Sequence, residues 1–83
     1  ERISLGAGAW QLAGSCEIEE LEDLFDLELD DAPYETVGGL VFTALGYLPE
    51  AGERISRHGL DFEVVAVEDR RIRAVRVERS LEP

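Results

Sequence analysis

Eighty-three residues with a formal net charge of −11 make one small domain. A chain of this size buries only roughly 60–65% of the surface its unfolded form exposes, which argues against a deep catalytic cavity. The charge argues against nucleic acid and anionic membrane surfaces, both of which need clustered basic residues, and no run approaches the ~20 apolar residues that span a bilayer, so no direct membrane insertion is expected.

Glu1 to Leu5 reads as linker, and residues 1–7 as a tail before the domain. The absence of Met and the start at Glu1 suggest a piece of a longer protein. Ala9-Trp10-Gln11-Leu12-Ala13 reads as a short strand between Gly8 and Gly14, with Trp10 and Leu12 on one face by the two-residue period. Ser15 is the expected N-cap of a first helix, since its hydroxyl can accept from an otherwise unpaired helix amide. Glu17, Glu19 and Glu20 follow, where negative charge suits the helix dipole. Ile18, Leu21, Leu24 and Phe25 make one apolar stripe at i, i+3, i+4 spacing. The helix should end near Phe25 or Asp26.

Leu27 to Glu35 reads as a loop, because Asp30, Asp31 and Pro33 disfavour a helix. Thr36 then caps a second helix. Val37, Leu40, Val41, Ala44 and Leu45 form a broad apolar face, with Phe42 on another side, so burial over much of the circumference is expected. Gly46 closes it in the left-handed conformation. Pro49 and Gly52 bracket a turn into a short strand over Glu53 to Arg57. His58-Gly59 signals a hairpin. Leu60, Phe62 and Val64 alternate with Asp61 and Glu63 as in a half-buried strand, while Val65 and Val67 suggest cover on both faces further along. Glu68-Asp69-Arg70 makes the next turn. In the last strand, Arg71 to Arg79, Ile72 falls on one parity and Val75 and Val77 on the other, which predicts a β-bulge near Arg73 or Ala74. The order β-α-α-β-β-β points to an α+β fold with two helices on one face of an antiparallel sheet.

Charge is unevenly distributed. All eight basic residues are Arg, and none lies between Arg2 and Arg54, while acidic residues run from Glu17 to Glu35. The two halves are expected to neutralise each other in part across the fold. The strand residues Arg70, Arg71, Arg73, Arg76 and Arg79 are the best partner-binding feature, with Arg71, Arg73 and Arg76 as docking candidates. Their plainer reading is pairing with the acidic helix of the same domain.

Other constellations are weaker. Gly38-Gly39 at a helix start invites an anion reading, but a P-loop needs a Lys and the chain has none. Close approach of backbones explains the pair more simply. Asp26, Glu28, Asp30 and Asp31 invite a calcium reading, yet the sixth and twelfth positions from Asp26 are Asp31 and Val37 rather than Gly and Glu. They remain weak surface metal candidates only. His58 is the single histidine and Cys16 the single cysteine, too few ligands for zinc. With no second Cys there is no intrachain disulfide, and Cys16 reads as an inert packed thiol. No catalytic constellation survives.

Taken in order, Thr36-Val37-Gly38-Gly39, Gly46-Tyr47-Leu48-Pro49, Gly52-Glu53, Leu60-Asp61-Phe62-Glu63-Val64 and Arg71 to Val77 closely resemble the transporter-associated domain at the C-terminus of CorC/HlyC-type proteins. The resemblance covers about Gly8 to Arg79, which places a domain at 8–79 and a tail at 80–83. It implies a non-catalytic regulatory module without cofactor, in a magnesium and cobalt efflux or hemolysin-like membrane protein. The implied partners are a CBS pair and a transmembrane domain of the same parent chain, on the cytoplasmic side of the bacterial inner membrane, with homodimers expected of the parents. The family's fold is similar to part of certain FAD-binding domains. The alternative is therefore a small domain binding FAD or another nucleotide through Gly38, Gly39 and Arg73.

Overall fold

The chain opens with a hairpin rather than a tail. In a computed structural model, which describes residues 2–29 and 33–80, Arg2–Gly6 is strand β1 and pairs antiparallel with β2, Ala9–Ala13. The expected linker at 1–7 is thereby corrected. Both Ile3 and Leu5 stay exposed, so no burial pattern announces this strand. Ladder bonds to β2 hold it, together with the Arg2 guanidinium 5.8 Å from the Trp10 ring centre. The turn is Gly6-Ala7-Gly8, with φ of +83°, +54° and +82°.

Helices α1, Ile18–Phe25, and α2, Val37–Leu45, follow. Strands β3, Arg54–Arg57, β4, Leu60–Glu68, and β5, Arg71–Arg79, complete the chain. The element order is β-β-α-α-β-β-β, and the antiparallel sheet runs β1-β2-β5-β4-β3. The α+β class with two helices on one face of the sheet holds, with one more strand than the sequence suggested.

The core lies between that face and the helices. Leu12, Phe62, Val64, Val75 and Val77 from the sheet meet Leu21 and Phe25 of α1 and Val37, Leu40 and Val41 of α2. Each such side chain removed from water contributes about 1.5–3 kcal/mol. No polar or charged side chain is buried among the described residues.

Three local expectations change. Ser15 does not cap α1. The chain turns at Gly14-Ser15, and Glu17 forms an isolated bridge with Thr36 that keeps it extended, so α1 starts at Ile18. Phe42 is 49% exposed, because α2 presents only one face to the sheet. Val65 is exposed and Val67 packs on the core, so no second layer covers β4.

The bulge explains the last point. Pairing of β4 with β5 slips around Ala66, leaving Val65 and Arg73 without partners in that ladder. The bulge sits where the parity of Ile72 and Val75 predicts it. The two hairpin turns and the Gly46 cap also fall where expected. Ser80 still belongs to the sheet's end, its amide donating to Gly59 O at 2.9 Å; residues 81–83 of the expected tail lie outside the described residues.

Candidate functional site

The bulge, the end of β2 and the start of α2 meet in a three-way backbone junction. The Gly14 amide donates to Arg73 O at 2.9 Å, and Gly14 O accepts from the Gly38 amide at 2.9 Å. A Cβ on Gly14 would lie 1.8 Å from Ile72 O, and one on Gly38 would lie 2.9 Å from Gly14 O. Both positions therefore require glycine for space. Gly39 is less confined: its Cβ would stand 3.2 Å from Thr36 Oγ1 and 3.2 Å from Tyr34 Cβ.

The first amides of α2 are committed. Val37 N–H donates to Cys16 O at 2.9 Å, Gly38 N–H to Gly14 O, and Gly39 N–H to Thr36 Oγ1 at 3.1 Å. Thr36 thus caps α2 as its sequence position suggests. None of these three donors is left for a phosphate, which removes the feature that drew the nucleotide reading to Gly38 and Gly39.

Over this junction lies an open groove of about 530 Å3, lined by Phe42, Leu48, Arg70, Arg71 and Arg73 beside the glycine backbones. Phe42 and Leu48 are 49% and 38% exposed. Arg73 meets Asp69 at 3.5 Å, with both side chains well exposed. Arg70 and Arg71 make no ion pair among the described residues. Arg70 sits at φ +62° in the two-residue turn Asp69-Arg70.

Arg76 belongs elsewhere. It pairs with Glu78 through two contacts, 2.8 and 3.4 Å, on the helix-free side of the sheet. Arg54–Glu63 at 3.4 Å and Ser56–Asp61 at 2.6 Å continue that surface, beside a second open groove of about 430 Å3. Among the described residues every ion pair lies within β3, β4, β5 and their turns. The acidic side chains of α1 take no part, so among the described residues the expected neutralisation between the two halves is not made by direct pairs. The closest link is Arg79, whose guanidinium donates to Phe25 O at the end of α1 and stands 5.9 Å from the Phe25 ring centre.

On the acidic side, Asp26 closes α1 in the left-handed conformation and Glu28 is exposed; Asp30 and Asp31 lie outside the described residues. Glu22 Oε2 accepts from the Leu29 amide at 2.7 Å and so folds the chain back after α1. No group of three His, Cys, Asp or Glu side chains converges among the described residues. Cys16 is buried, and burial, followed by the nearby Glu20 carboxylate, pushes its thiol above the usual range. It is a packed thiol, the reverse of an activated one. His58 Nε2 stands 3.1 Å from Tyr34 Oη and occupies a turn at φ +57°.

The structure therefore brings Gly38, Gly39, Arg71 and Arg73 together and separates Arg76 from them. It adds Gly14, Phe42 and Leu48, and it draws in Arg70, which the sequence placed in the basic strand but not among the docking candidates. The turn signal at Glu68-Asp69-Arg70 was the clue to Arg70, since a hairpin tip folds it beside the bulge. Gly14 had no sequence clue beyond ending a strand.

The comparisons agree with this architecture. The family described as CorC_HlyC, transporter associated domain, matches residues 3–80. Magnesium and cobalt efflux protein CorC of Salmonella typhimurium is 37% identical over 73 residues, 88% of this chain and 25% of that protein. CorC of Vibrio cholerae is 42% identical over 60 residues, 72% of this chain and 21% of that protein. The chain thus spans about a quarter or less of these relatives. The transporter associated domain from Nitrosomonas europaea superimposes with a TM-score of 0.86 at 35% identity, covering 95% of each chain. The domain of a Xylella fastidiosa hemolysin, solved in complex with Mg++ and Mn++, gives 0.82 at 26% identity, covering 94% of this chain and 95% of that one. No helix among the described residues is long and apolar enough to cross a membrane. By sequence along nearly its whole length and by fold, the chain belongs to the CorC/HlyC transporter-associated-domain family.

Proposed function

We propose that this domain is a non-catalytic regulatory module of a magnesium and cobalt efflux or hemolysin-like membrane protein, and that it modulates ion transport by docking on other parts of its parent. The observation that carries the reading is the family match at 3–80, joined to a chain that spans only a quarter of its CorC relatives. Such a module works through surface rather than chemistry. The surface at hand is the Arg71 and Arg73 groove, which lies over the hydrogen-bonded glycine junction. The CBS pair and the transmembrane domain of the parent, on the cytoplasmic side of the bacterial inner membrane, are the partners this reading assigns. Arg76, engaged with Glu78, has a smaller share in docking.

Divalent ions act here only weakly. The Xylella relative was solved with Mg++ and Mn++. In this chain Asp26 and Glu28 are exposed, and among the described residues no preorganised cage forms around them. The sequence neighbours Asp30 and Asp31 complete a set of weak surface candidates, and carboxylates without a cage compete poorly with water. Ion flux through the parent, with and without a clean deletion of the domain, tests the reading. A changed flux is expected; unchanged flux after deletion of a protein that still inserts normally would refute it. Calorimetry of the domain with magnesium should show no submicromolar binding.

A further inference from the structure

We propose that the groove over the Gly14–Gly38 junction binds an extended acidic segment of a partner protein, seating one apolar side chain against Phe42 and Leu48 and its carboxylates on Arg70, Arg71 and Arg73. This rests on the reading of the domain as a docking module and names the chemistry its groove accepts.

Charge carries the argument first. Nineteen of the 83 residues are acidic, yet no Asp or Glu lines this groove, and three of the eight Arg do. Arg70 and Arg71 have no ion-pair partner among the described residues. Arg73 has Asp69 at 3.5 Å, but that carboxylate is 85% exposed, so the pair is readily exchanged. Guanidinium forks hold carboxylates in two-point contacts.

Backbone cost points the same way. Arg70 occupies a left-handed turn position, φ +62°, that Gly or Asn fills with less strain. The arginine at this position brings a cation to the rim of the groove. The apolar requirement comes from Phe42 and Leu48, which stand half-exposed on the same groove, although Phe42 belongs to a helix whose other apolar residues face the core. Buried aromatic and arginine side chains are the anchors that carry most of the binding energy at interfaces.

Other anions fit less well. The amides of Val37, Gly38 and Gly39 are already bonded, so a phosphate would meet guanidiniums alone. A broad anionic bilayer would face the whole domain and its net charge of −11. A peptide segment covers the groove only, and at physiological salt charges beyond about 8 Å are largely screened.

The test is an amide NMR titration of the 83-residue chain with a short synthetic peptide of Asp and Glu around one central Phe. A control peptide carries Asn and Gln in place of every Asp and Glu. Saturable shifts are expected at Gly38, Gly39, Phe42, Leu48 and Arg73, weakening as salt rises. Arg71→Gln and Arg73→Gln should each reduce affinity about tenfold while preserving the rest of the spectrum. Phe42→Ser should weaken binding without changing its salt dependence. The proposal is overturned by equal binding of the neutral control, by shifts centred on the Arg54 and Glu63 face, by no saturable shift, or by phosphatidylserine vesicles binding the groove while the peptide does not. The outcome is separable from the flux experiment. Flux that changes on deletion while the peptide fails to bind removes only the groove's assignment; unchanged flux removes the docking function itself.

Discussion

The two faces of the sheet are built on opposite rules. At the helix-covered end, β2, α2 and the β5 bulge meet backbone against backbone, and Gly14 and Gly38 are required because any side chain would occupy a neighbour's carbonyl. On the open face, Arg54, Glu63, Arg76 and Glu78 meet through exposed or half-exposed side chains that water can replace. Position fixes residue identity on the first face, and only charge balance matters on the second. A groove that must present the same shape to a partner is better placed over the first.

The contrast can be broken at its strongest point. Gly14→Ala puts a methyl 1.8 Å from Ile72 O, where backbone rather than a flexible side chain must move. The expected loss is about 3 kcal/mol or more, read from the denaturant midpoint, with Gly38→Ala losing about 1–3 kcal/mol. Wild-type midpoints for both would show that the junction is loose.

Gly39 sharpens the comparison. Its added Cβ meets a side-chain oxygen and a side-chain carbon at 3.2 Å. Gly39→Val should cost about 1–3 kcal/mol through overpacking. In Gly39→Ala the smaller clash is offset by about 0.5–1 kcal/mol of recovered helix propensity. A thermal melt of both variants separates crowding from propensity.

Changes on the open face should be smaller. Arg54→Ala removes an exposed pair with Glu63 and is expected to shift stability by no more than about 0.5 kcal/mol. A loss as large as that of Gly38→Ala would erase the distinction.

The smallest expected effect is a pH response outside both regions. Tyr47 Oη donates to Glu53 Oε1 at 2.6 Å, and the Glu50 amide donates to Glu53 Oε2 at 2.7 Å. The Tyr47 hydroxyl, then the Glu50 amide, hold the Glu53 carboxyl below its usual range; the same contact with Glu53 holds the Tyr47 phenol above its own. The lowered carboxyl contributes stability above its unfolded pKa of about 4.3 and loses it as pH falls through the folded value. The raised phenol contributes below about pH 10 and loses it as pH rises through its folded value. Tyr47 ring signals followed by NMR should move at both limits, and Glu53→Gln should abolish the acid step.

Most of the fold was readable because local rules and packing agreed. The Thr36 cap, the Gly46 stop, the alternation of Leu60, Phe62 and Val64, and the parity slip across Arg73 each carried a physical signature along the chain. Strand β1 was missed because its apolar residues, Ile3 and Leu5, are not buried, so ladder bonding left no pattern to read. The start of α1 was misplaced because Glu17 is held extended by Thr36, nineteen positions away. The Arg pair of the groove was visible as a basic strand. Gly14 and Phe42 were not, since a close backbone crossing and a one-sided helix are tertiary facts. Arg76 belongs to the same basic strand in the sequence, but it lies three positions beyond Arg73, on the helix-free side, where it pairs with Glu78.

The most direct test of the account places Arg71→Gln and Arg73→Gln together in the intact parent and measures ion flux beside wild type and the clean deletion. The account predicts the flux of the deletion from a protein whose isolated domain retains its circular dichroism and melting midpoint. Wild-type flux from the double variant, with the deletion still altering transport, would contradict it and show that the domain acts through another surface.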